Sequence, residues 1–189
     1  MDAVLDKRER ILAAAARLIV RNGLQCSMAA IAEEASVATG SLYNYFASKE
    51  ALVLGVYTRV SSEMTERVTA EPAPSGDSGA RVRHYIDRYI DFIWEDPDRA
   101  RLFDYLDNNP LISFDDARDV FGPFVAHGIA MVEAAQQAGV VRPGTPTMIM
   151  SFLRGSIRNT LKRRRLTETT LSPADRQLVA DMCWAAIAA

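Results

Sequence analysis

A group of short polar and flat aromatic residues between positions 39 and 44 carries the clearest chemical signal in this sequence. These side chains fall on the outward faces of a predicted helix, and they are Thr39, Gly40, Ser41, Tyr43 and Asn44. Hydroxyl, amide and aromatic groups of this kind suit contacts to base edges and phosphates. The pattern therefore predicts a helix that is presented to DNA.

Two short helices joined by a tight turn must position that surface. Apolar residues at helical spacing occur in two sets separated by a break, namely Ile31, Ala32 and Ala35, and then Leu42, Tyr45 and Phe46. Ala32 is small where the two helices would cross, and Val37 would fill the angle between them. Ser27 is placed to cap the first helix. The stretch from Ser27 to Phe46 thus predicts a helix-turn-helix.

The run from Ile31 to Leu52, I-A-E-E-A-S-V-A-T-G-S-L-Y-N-Y-F-A-S-K-E-A-L, resembles the DNA-binding signature of the tetracycline-repressor (TetR) family of bacterial transcription regulators. That signature combines an Ile-Ala pair, an Ala before the turn, a Val after it, a Gly, Leu-Tyr, an aromatic-Phe pair and a Lys-Glu pair. The chain departs from it at Ser36, where the family usually has Gly, and at Ala38, where it usually has a capping Ser. Ser36 would be strained if its φ is positive. Thr39 either replaces the missing cap or takes part in base reading.

The resemblance implies a DNA-binding surface that extends beyond the second helix. The residues implied are Ser27, Thr39, Gly40, Ser41, Tyr43, Asn44, Tyr45 and Lys49. Lys49 lies in the first turn of the next helix, where a cation is unfavourable unless it meets a phosphate. The competing interpretation is a helical hairpin in an ordinary all-α core, which has no need of Gly40, Tyr43 or Lys49.

The apolar period is helical throughout, and no strand pattern competes with it. We expect an all-α protein with an N-terminal three-helix helix-turn-helix domain at residues 1–48 and a C-terminal helical effector-binding and dimerisation domain at residues 49–189. Helices outside the motif are predicted at 4–21, 48–69, 80–95, 97–106, 115–138, 147–163 and from 173, after the cap Ser172, to near the C-terminus, with a loop at 71–79. Gly122-Pro123 predicts a kink or a restart in the fifth of these helices.

The composition is that of an ordinary soluble globular protein, with 49% hydrophobic residues, 24% charged residues and a net charge of -2. Residues 1–60 carry +1 and the remainder carries -3, so DNA binding has to rest on a few placed contacts in a dimer. Cys26 and Cys183 have no metal-binding or redox spacing, and neither a membrane span nor a signal peptide is recognised. We therefore expect a cytoplasmic protein with no metal, no cofactor and no membrane partner.

The last two predicted helices are rich in alanine and larger apolar residues, which would leave an extensive exposed patch on a monomer. In the TetR family these helices pair with their copies in a four-helix bundle. The resemblance thus implies a homodimer that places two recognition helices about 34 Å apart, or a multiple of that, on double-stranded operator DNA. The alternative is that the last helix covers its own core. The cluster Lys162–Arg165, K-R-R-R, is either a second DNA patch or a solvated helix end, and the second interpretation is favoured.

The resemblance also implies a small-molecule effector inside the C-terminal domain. The candidate wall of its site consists of Tyr85, Tyr89, Phe92, Phe103, Phe124, His127, Met131, Met148 and Phe152. Aromatic and methionine side chains suit an apolar, partly aromatic effector, although the same residues at helical spacing are also typical of plain core. The expected mechanism is repression that ends when the effector lowers DNA affinity, with activation as an alternative.

Enzyme motifs do not accompany these features. The sequence has no G-x-S-x-G, no His/Cys/Asp metal spacing and no phosphate-binding loop, so we expect no catalytic residue. The remaining alternative function is a dimeric helical adaptor that binds a protein partner without DNA. Substitution of Tyr43 and Lys49 separates the two functions, because only a DNA-binding protein depends on those side chains.

Overall fold

A computed structural model describes residues 6–69, 76–107 and 109–189. Within these ranges the chain forms nine α-helices: α1 (Lys7–Asn22), α2 (Met28–Glu34), α3 (Thr39–Tyr43), α4 (Lys49–Thr69), α5 (Ser78–Glu95), α6 (Pro97–Asp107), α7 (Phe114–Gln137), α8 (Pro146–Arg164) and α9 (Pro173–Ile187). A short 3-10 helix, Gly23–Gln25, follows α1. An isolated antiparallel β-bridge joins Val141 and Ala188. The predicted all-α class is confirmed.

Capping side chains explain where several helices begin. Ser27 Oγ and Ser172 Oγ each accept a hydrogen bond from the amide three residues ahead, at 3.1 and 3.0 Å, as the sequence predicts. Asp77 accepts from two amides in the first turn of α5, which therefore begins before its predicted start. Pro146 and Pro173 open α8 and α9, where a missing N–H costs no hydrogen bond. The predicted start of the first helix and most of the predicted 71–79 loop lie outside the described residues.

The first of two compact units contains the described residues up to Ser62 together with those of Asp98–Phe121. Its fully buried side chains come from α1 to α4 and from α6; they include Ile11, Leu12, Ile31, Leu42, Leu52 and Leu106. Tyr57 Oη of α4 donates to Asp107 Oδ1 at 3.2 Å, and the Tyr57 ring packs on Phe121 with ring centroids 4.8 Å apart. This unit includes the first part of α4, since α4 spans Lys49–Thr69 and the unit's first segment ends at Ser62. The predicted domain boundary at residue 48 stays a prediction.

The second unit contains Glu63–Pro97 and Gly122–Ala189. Helix α5 packs against α8 and α9, with Ile86 and Ile90 among its buried residues. Arg176 of α9 binds both carboxylate oxygens of Asp91, at 2.7 and 2.8 Å, and one oxygen of Asp87 at 2.9 Å. A bidentate arginine adds geometric specificity to apolar packing, so these bonds fix the register of α9 on α5.

Helix α7 passes through Pro123 without a restart. A proline removes one backbone hydrogen bond from a helix, and the packing of buried side chains on either side of it favours a continuous helix. Phe121 and Phe124 flank the proline and are both buried. Of the two predicted outcomes at Gly122-Pro123, the restart is therefore wrong, and the kink stays a prediction.

Candidate functional site

The turn between α2 and α3 is closed by backbone hydrogen bonds and contains one left-handed residue. The amide of Ser36 donates to Glu33 O and that of Val37 to Ala32 O, both at 2.9 Å. Ser36 has a φ of +54°, a conformation that costs a residue with a Cβ atom about 1–2 kcal/mol. The strain expected where Ser replaces the family's Gly is thus confirmed.

Arginines of α1 hold this turn and the end of α2. Arg10 Nη2 donates to Ala35 O at 3.1 Å and to Ser36 O at 3.0 Å. Arg17 and Arg21 each approach Glu34 Oε1 at 2.8 Å, and their hydrogen bonds, that of Arg17 first, lower the pKa of the Glu34 carboxyl. Helix α1 therefore braces the motif through charged groups as well as through its apolar stripe. Sequence reasoning missed these roles because nothing in the spacing distinguishes Arg10 from the other charges of its turn.

Helix α3 buries one side chain completely and exposes most of the others. Leu42 is fully buried and Phe46, just beyond the helix, is nearly so. Tyr43 and Tyr45 are 50% and 40% exposed, and the remaining predicted residues are exposed or half-buried; these are Thr39, Gly40, Asn44 and, half-buried, Ser41. A Cβ atom added at Gly40 would meet nothing within 4 Å, so this position faces open space. The helix thus presents hydroxyl, amide and aromatic groups on one accessible side.

The N-terminus of α3 answers the question left open for Thr39. Ala38 is the capping residue and makes no side-chain hydrogen bond to the helix. Thr39 is the first helical residue and is exposed. Its side chain is therefore placed for an external contact.

Two of the predicted DNA-contacting residues already have partners within the protein. Ser27 Oγ caps α2, and Lys49 Nζ donates to Leu24 O at 2.5 Å, which ties the start of α4 to the 3-10 helix. Ser48 Oγ caps α4 by accepting from the amide of Ala51 at 3.2 Å. Lys49 is half-buried. The Leu24 carbonyl therefore fixes the position from which the Lys49 ammonium group would contact a phosphate.

Three of the predicted effector residues form one buried aromatic group, which we define as Tyr85, Tyr89 and Phe124. Their ring centroids lie 6.0 to 6.2 Å apart and each ring is almost completely buried. Arg154 Nε donates to Tyr85 Oη at 2.8 Å, and the Arg154 guanidinium lies 4.4 Å from the centroid of the Phe124 ring. Burial raises the pKa of the Tyr85 phenol to about 12, so the hydroxyl keeps its proton at neutral pH.

The other predicted wall residues differ in burial and in the unit to which they belong. Phe92 is buried in the same unit, whereas Phe103 belongs to the first unit and stacks on Phe121 with centroids 5.6 Å apart. His127 is exposed, Met131 is half-buried, and Met148 and Phe152 are 71% and 50% exposed. Helix α8 instead buries Ile149, Met150 and Leu153. Helical spacing alone does not show which of two apolar faces of a helix turns inward. It also gives no reason to include Arg154 among the predicted effector residues.

The basic cluster at the end of α8 is largely occupied within its own unit. Arg164 Nη2 lies 2.8 Å from Asp175 Oδ2. Arg165 donates to Ile93 O and lies over the Trp94 ring at 4.9 Å from its centroid. These contacts favour a structural role over a second DNA patch.

A comparison with known families decides the identity of the helix-turn-helix. The sequence model for bacterial regulatory proteins of the tetR family matches residues 11–56, which run from α1 through α2 and α3 into α4. The helix-turn-helix of this chain is therefore of the tetR-family type.

Solved structures share the TetR fold over nearly the whole chain. A TetR family transcription regulator from Marinobacter aquaeolei VT8 is 20% identical, with a TM-score of 0.82 and coverage of 96% of this chain and 95% of that chain. A TetR-family transcriptional regulator from Haemophilus influenzae RD is 23% identical, with a TM-score of 0.80 and full coverage of both chains at 100%. The fatty acid degradation regulator FadR from Bacillus halodurans is 17% identical, with a TM-score of 0.77 and 97% coverage of each chain.

The described part of the chain contains no helix that is both long and apolar enough to cross a membrane.

Proposed function

We propose that this protein is a cytoplasmic, dimeric TetR-family repressor that binds an operator through α3 and leaves it when a small effector binds the second unit. The observation that carries the proposal is the division of α3 into a buried anchor, Leu42, and an exposed polar and aromatic side. A side chain that points into the core fixes the orientation of the helix. The exposed side is then held ready for the major groove.

The predicted DNA-contacting residues in and around α3 divide by the kind of contact that they offer. Gly40 leaves room for a close approach of the DNA backbone, because no atom occupies the space of a side chain there. Tyr43 and Asn44 project ring and amide groups that reach base edges or phosphates. Thr39, Ser41 and Tyr45 flank them. Ser27 and Lys49 lie at helix starts, where they contribute phosphate contacts in addition to their internal bonds.

Dimerisation through α8 and α9 is supported by large apolar side chains that one chain leaves uncovered. On α8 these are Met148 and Phe152, and on α9 they are Leu178 and Met182, each pair at i, i+4 spacing and each residue at least half exposed. Apolar groups spaced in this way lie on one side of a helix. A second copy of the chain covers them in a four-helix arrangement, and the resulting two-fold symmetry matches a palindromic operator.

Effector control is proposed to act through the aromatic group. A ligand that binds it shifts the balance between two arrangements of the dimer and lowers DNA affinity by a coupling free energy of about 1–3 kcal/mol. Helices α4 and α7 each contribute residues to both units along the chain. They therefore offer continuous elements through which the effector site and the DNA-binding site are linked.

The test is a salt titration of binding to the DNA immediately upstream of the protein's own gene. Tyr43→Ala removes a half-exposed ring from α3, and Tyr105→Ala is the matched control because Tyr105 is 41% exposed on α6. We expect wild type and Tyr105→Ala to bind with the same steep salt dependence, and Tyr43→Ala to bind at least about tenfold more weakly. Circular dichroism checks that both variants keep their helical content.

The outcomes separate the proposed function from its alternative. Equal DNA affinity of wild type and Tyr43→Ala would remove α3 as the reading element. Failure of wild type to bind this DNA and random DNA at low salt would favour an adaptor that binds protein without DNA.

A further inference from the structure

The guanidinium of Arg154 is a cation with no carboxylate partner among the described residues. Its recorded bonds run from Nε to the Tyr85 hydroxyl at 2.8 Å and from Nη2 to Phe124 O at 3.2 Å. Both acceptors are uncharged, and the group is half-buried beside rings that are themselves almost fully buried. A guanidinium offers five N–H donors in a fork, so its bonding capacity is only partly used.

The Tyr85 hydroxyl is also incompletely bonded. It accepts from Arg154, and within residues 6–69, 76–107 and 109–189 no acceptor for its own proton is found. Its pKa of about 12 keeps that proton in place at neutral pH. Two donors thus sit side by side in apolar surroundings, where an unmatched donor or cation is costly.

Gly128 of α7 allows this arrangement. A Cβ atom at this position would lie 2.5 Å from Arg154 Nη2 and 2.8 Å from Met150 Cε. Because the residue is glycine, the guanidinium can lie directly against α7 and over the Phe124 ring. The absence of a side chain at Gly128 therefore lets the protein hold the Arg154 guanidinium in a defined position.

We propose that Arg154 and Tyr85 bind the carboxylate of an aromatic carboxylic acid whose apolar body packs on the aromatic group. This inference rests on the proposed effector site and gives its ligand a chemical class. A planar carboxylate matches the arginine fork and also accepts a hydrogen bond from the Tyr85 phenol O–H. A single negative charge balances the single cation, and the three rings supply apolar contact for an aromatic body.

The probes for this proposal are 4-phenylbutyrate and 2-naphthoate, each compared with its uncharged amide. Binding to the full-length protein is measured by titration calorimetry. We expect at least one acid to bind wild type about tenfold or more tightly than its amide, since a hydrogen bond to a charged group is stronger than a neutral one. Arg154→Met should reduce the acid to the level of the amide, and Arg154→Lys should retain part of the preference because it keeps the charge without the fork.

Arg163→Met is the control, since it removes an exposed cation from the same helix and should leave the preference for the acid unchanged. The proposal is overturned if neither acid binds wild type, or if wild type binds each acid no more tightly than its amide. It is also overturned if the preference for the acid survives Arg154→Met.

Operator binding by the same preparations separates this inference from the proposed function. If wild type binds the operator and neither acid binds the protein, the carboxylate site is wrong while the DNA-binding function stands. If an acid binds through Arg154 and leaves operator affinity unchanged, the site stands and release by this effector class is wrong.

Discussion

At the residue scale, Ser36 shows how the motif tolerates a departure from its family pattern. Its backbone is left-handed, with φ at +54°, and its side chain is exposed. The carbonyls of Ala35 and Ser36 both accept from Arg10, so a contact outside the turn helps to hold this conformation. The turn therefore does not rest on a glycine.

Ser36→Gly should stabilise the protein, because glycine adopts a positive φ without a Cβ penalty. We expect the free energy of unfolding to rise by about 0.5–1 kcal/mol, less than the full left-handed penalty because glycine also loses more backbone entropy on folding. Urea denaturation measures the change. Ser62→Gly is the control; it lies in α4 on an exposed position and should lower stability by about 0.5 kcal/mol. A destabilising Ser36→Gly would mean that the hydroxyl makes a contact worth more than the strain.

Cys183 should be a slow thiol in the folded protein. Burial raises its pKa to about 11, so at pH 8 far less of it is thiolate than for a thiol at the ordinary value of 9.0. Because the thiolate is the reactive form, we expect its reaction with Ellman's reagent to be about 100-fold slower than in urea-unfolded protein. The rate should rise with pH up to about pH 11. Mass spectrometry of the labelled peptide identifies which cysteine has reacted. Rapid labelling of Cys183 at pH 8 would contradict the burial of the inner face of α9.

At the scale of elements, α3 depends on its neighbours for its existence. A helix of five residues is too short to be stable alone in water. Leu42 and Phe46 are buried, and Gly55 of α4 lets the second of them pack closely, since a Cβ atom there would lie 3.0 Å from Phe46 Cε1 and 3.1 Å from Leu12 Cδ2. Side chains of α1 and α4 therefore fix the position of α3.

Gly40→Ala and Gly55→Ala form a matched pair that separates DNA contact from packing. Gly40 faces open space within a helix, so alanine should stabilise the fold by up to about 1 kcal/mol and weaken operator binding by at least about tenfold if the DNA backbone approaches there. Alanine at Gly55 should instead lower the melting temperature, because buried rings and methyl groups must move. Melting curves and gel shifts on both variants check this. Unchanged operator affinity of Gly40→Ala would contradict a close backbone approach.

The elements that the sequence predicts well are those governed by local chemistry. The Ser27 and Ser172 caps, the prolines that open α8 and α9, and the spacing of the helix-turn-helix all depend on residues a few positions apart. The proposed effector wall depends on which helix faces turn inward, and local spacing does not give this. Phe103 belongs to the first unit and Phe152 is half exposed, although both were predicted to line the same wall as the buried aromatic group. Arg154 lay outside any motif, since its partners Tyr85 and Phe124 are distant in sequence.

At the scale of the whole molecule, charge and apolar surface both favour a dimer as the active species. The net charge is only -2, so non-specific attraction between the protein and DNA is weak and affinity must come from placed contacts. One recognition helix of five residues offers few of them. Two copies bound to one operator multiply those contacts through effective concentration, and the overall affinity can exceed that of one copy by 10²–10⁴ as a rough range.

The double variant Leu178→Glu, Met182→Glu should therefore disrupt the dimer and operator binding together. Both residues are at least half exposed on α9, so the glutamates stay solvated in one chain and become buried, unpaired charges only if a second copy packs on them. We expect sedimentation equilibrium to give the 20.9 kDa monomer mass for the variant and twice that mass for wild type. Operator affinity should fall by at least about 100-fold.

Phe114→Glu is the control, because Phe114 is 83% exposed at the start of α7 and lies outside α8 and α9. A variant that stays dimeric would place the interface elsewhere, and a monomer that binds the operator with unchanged affinity would show that one recognition helix is sufficient.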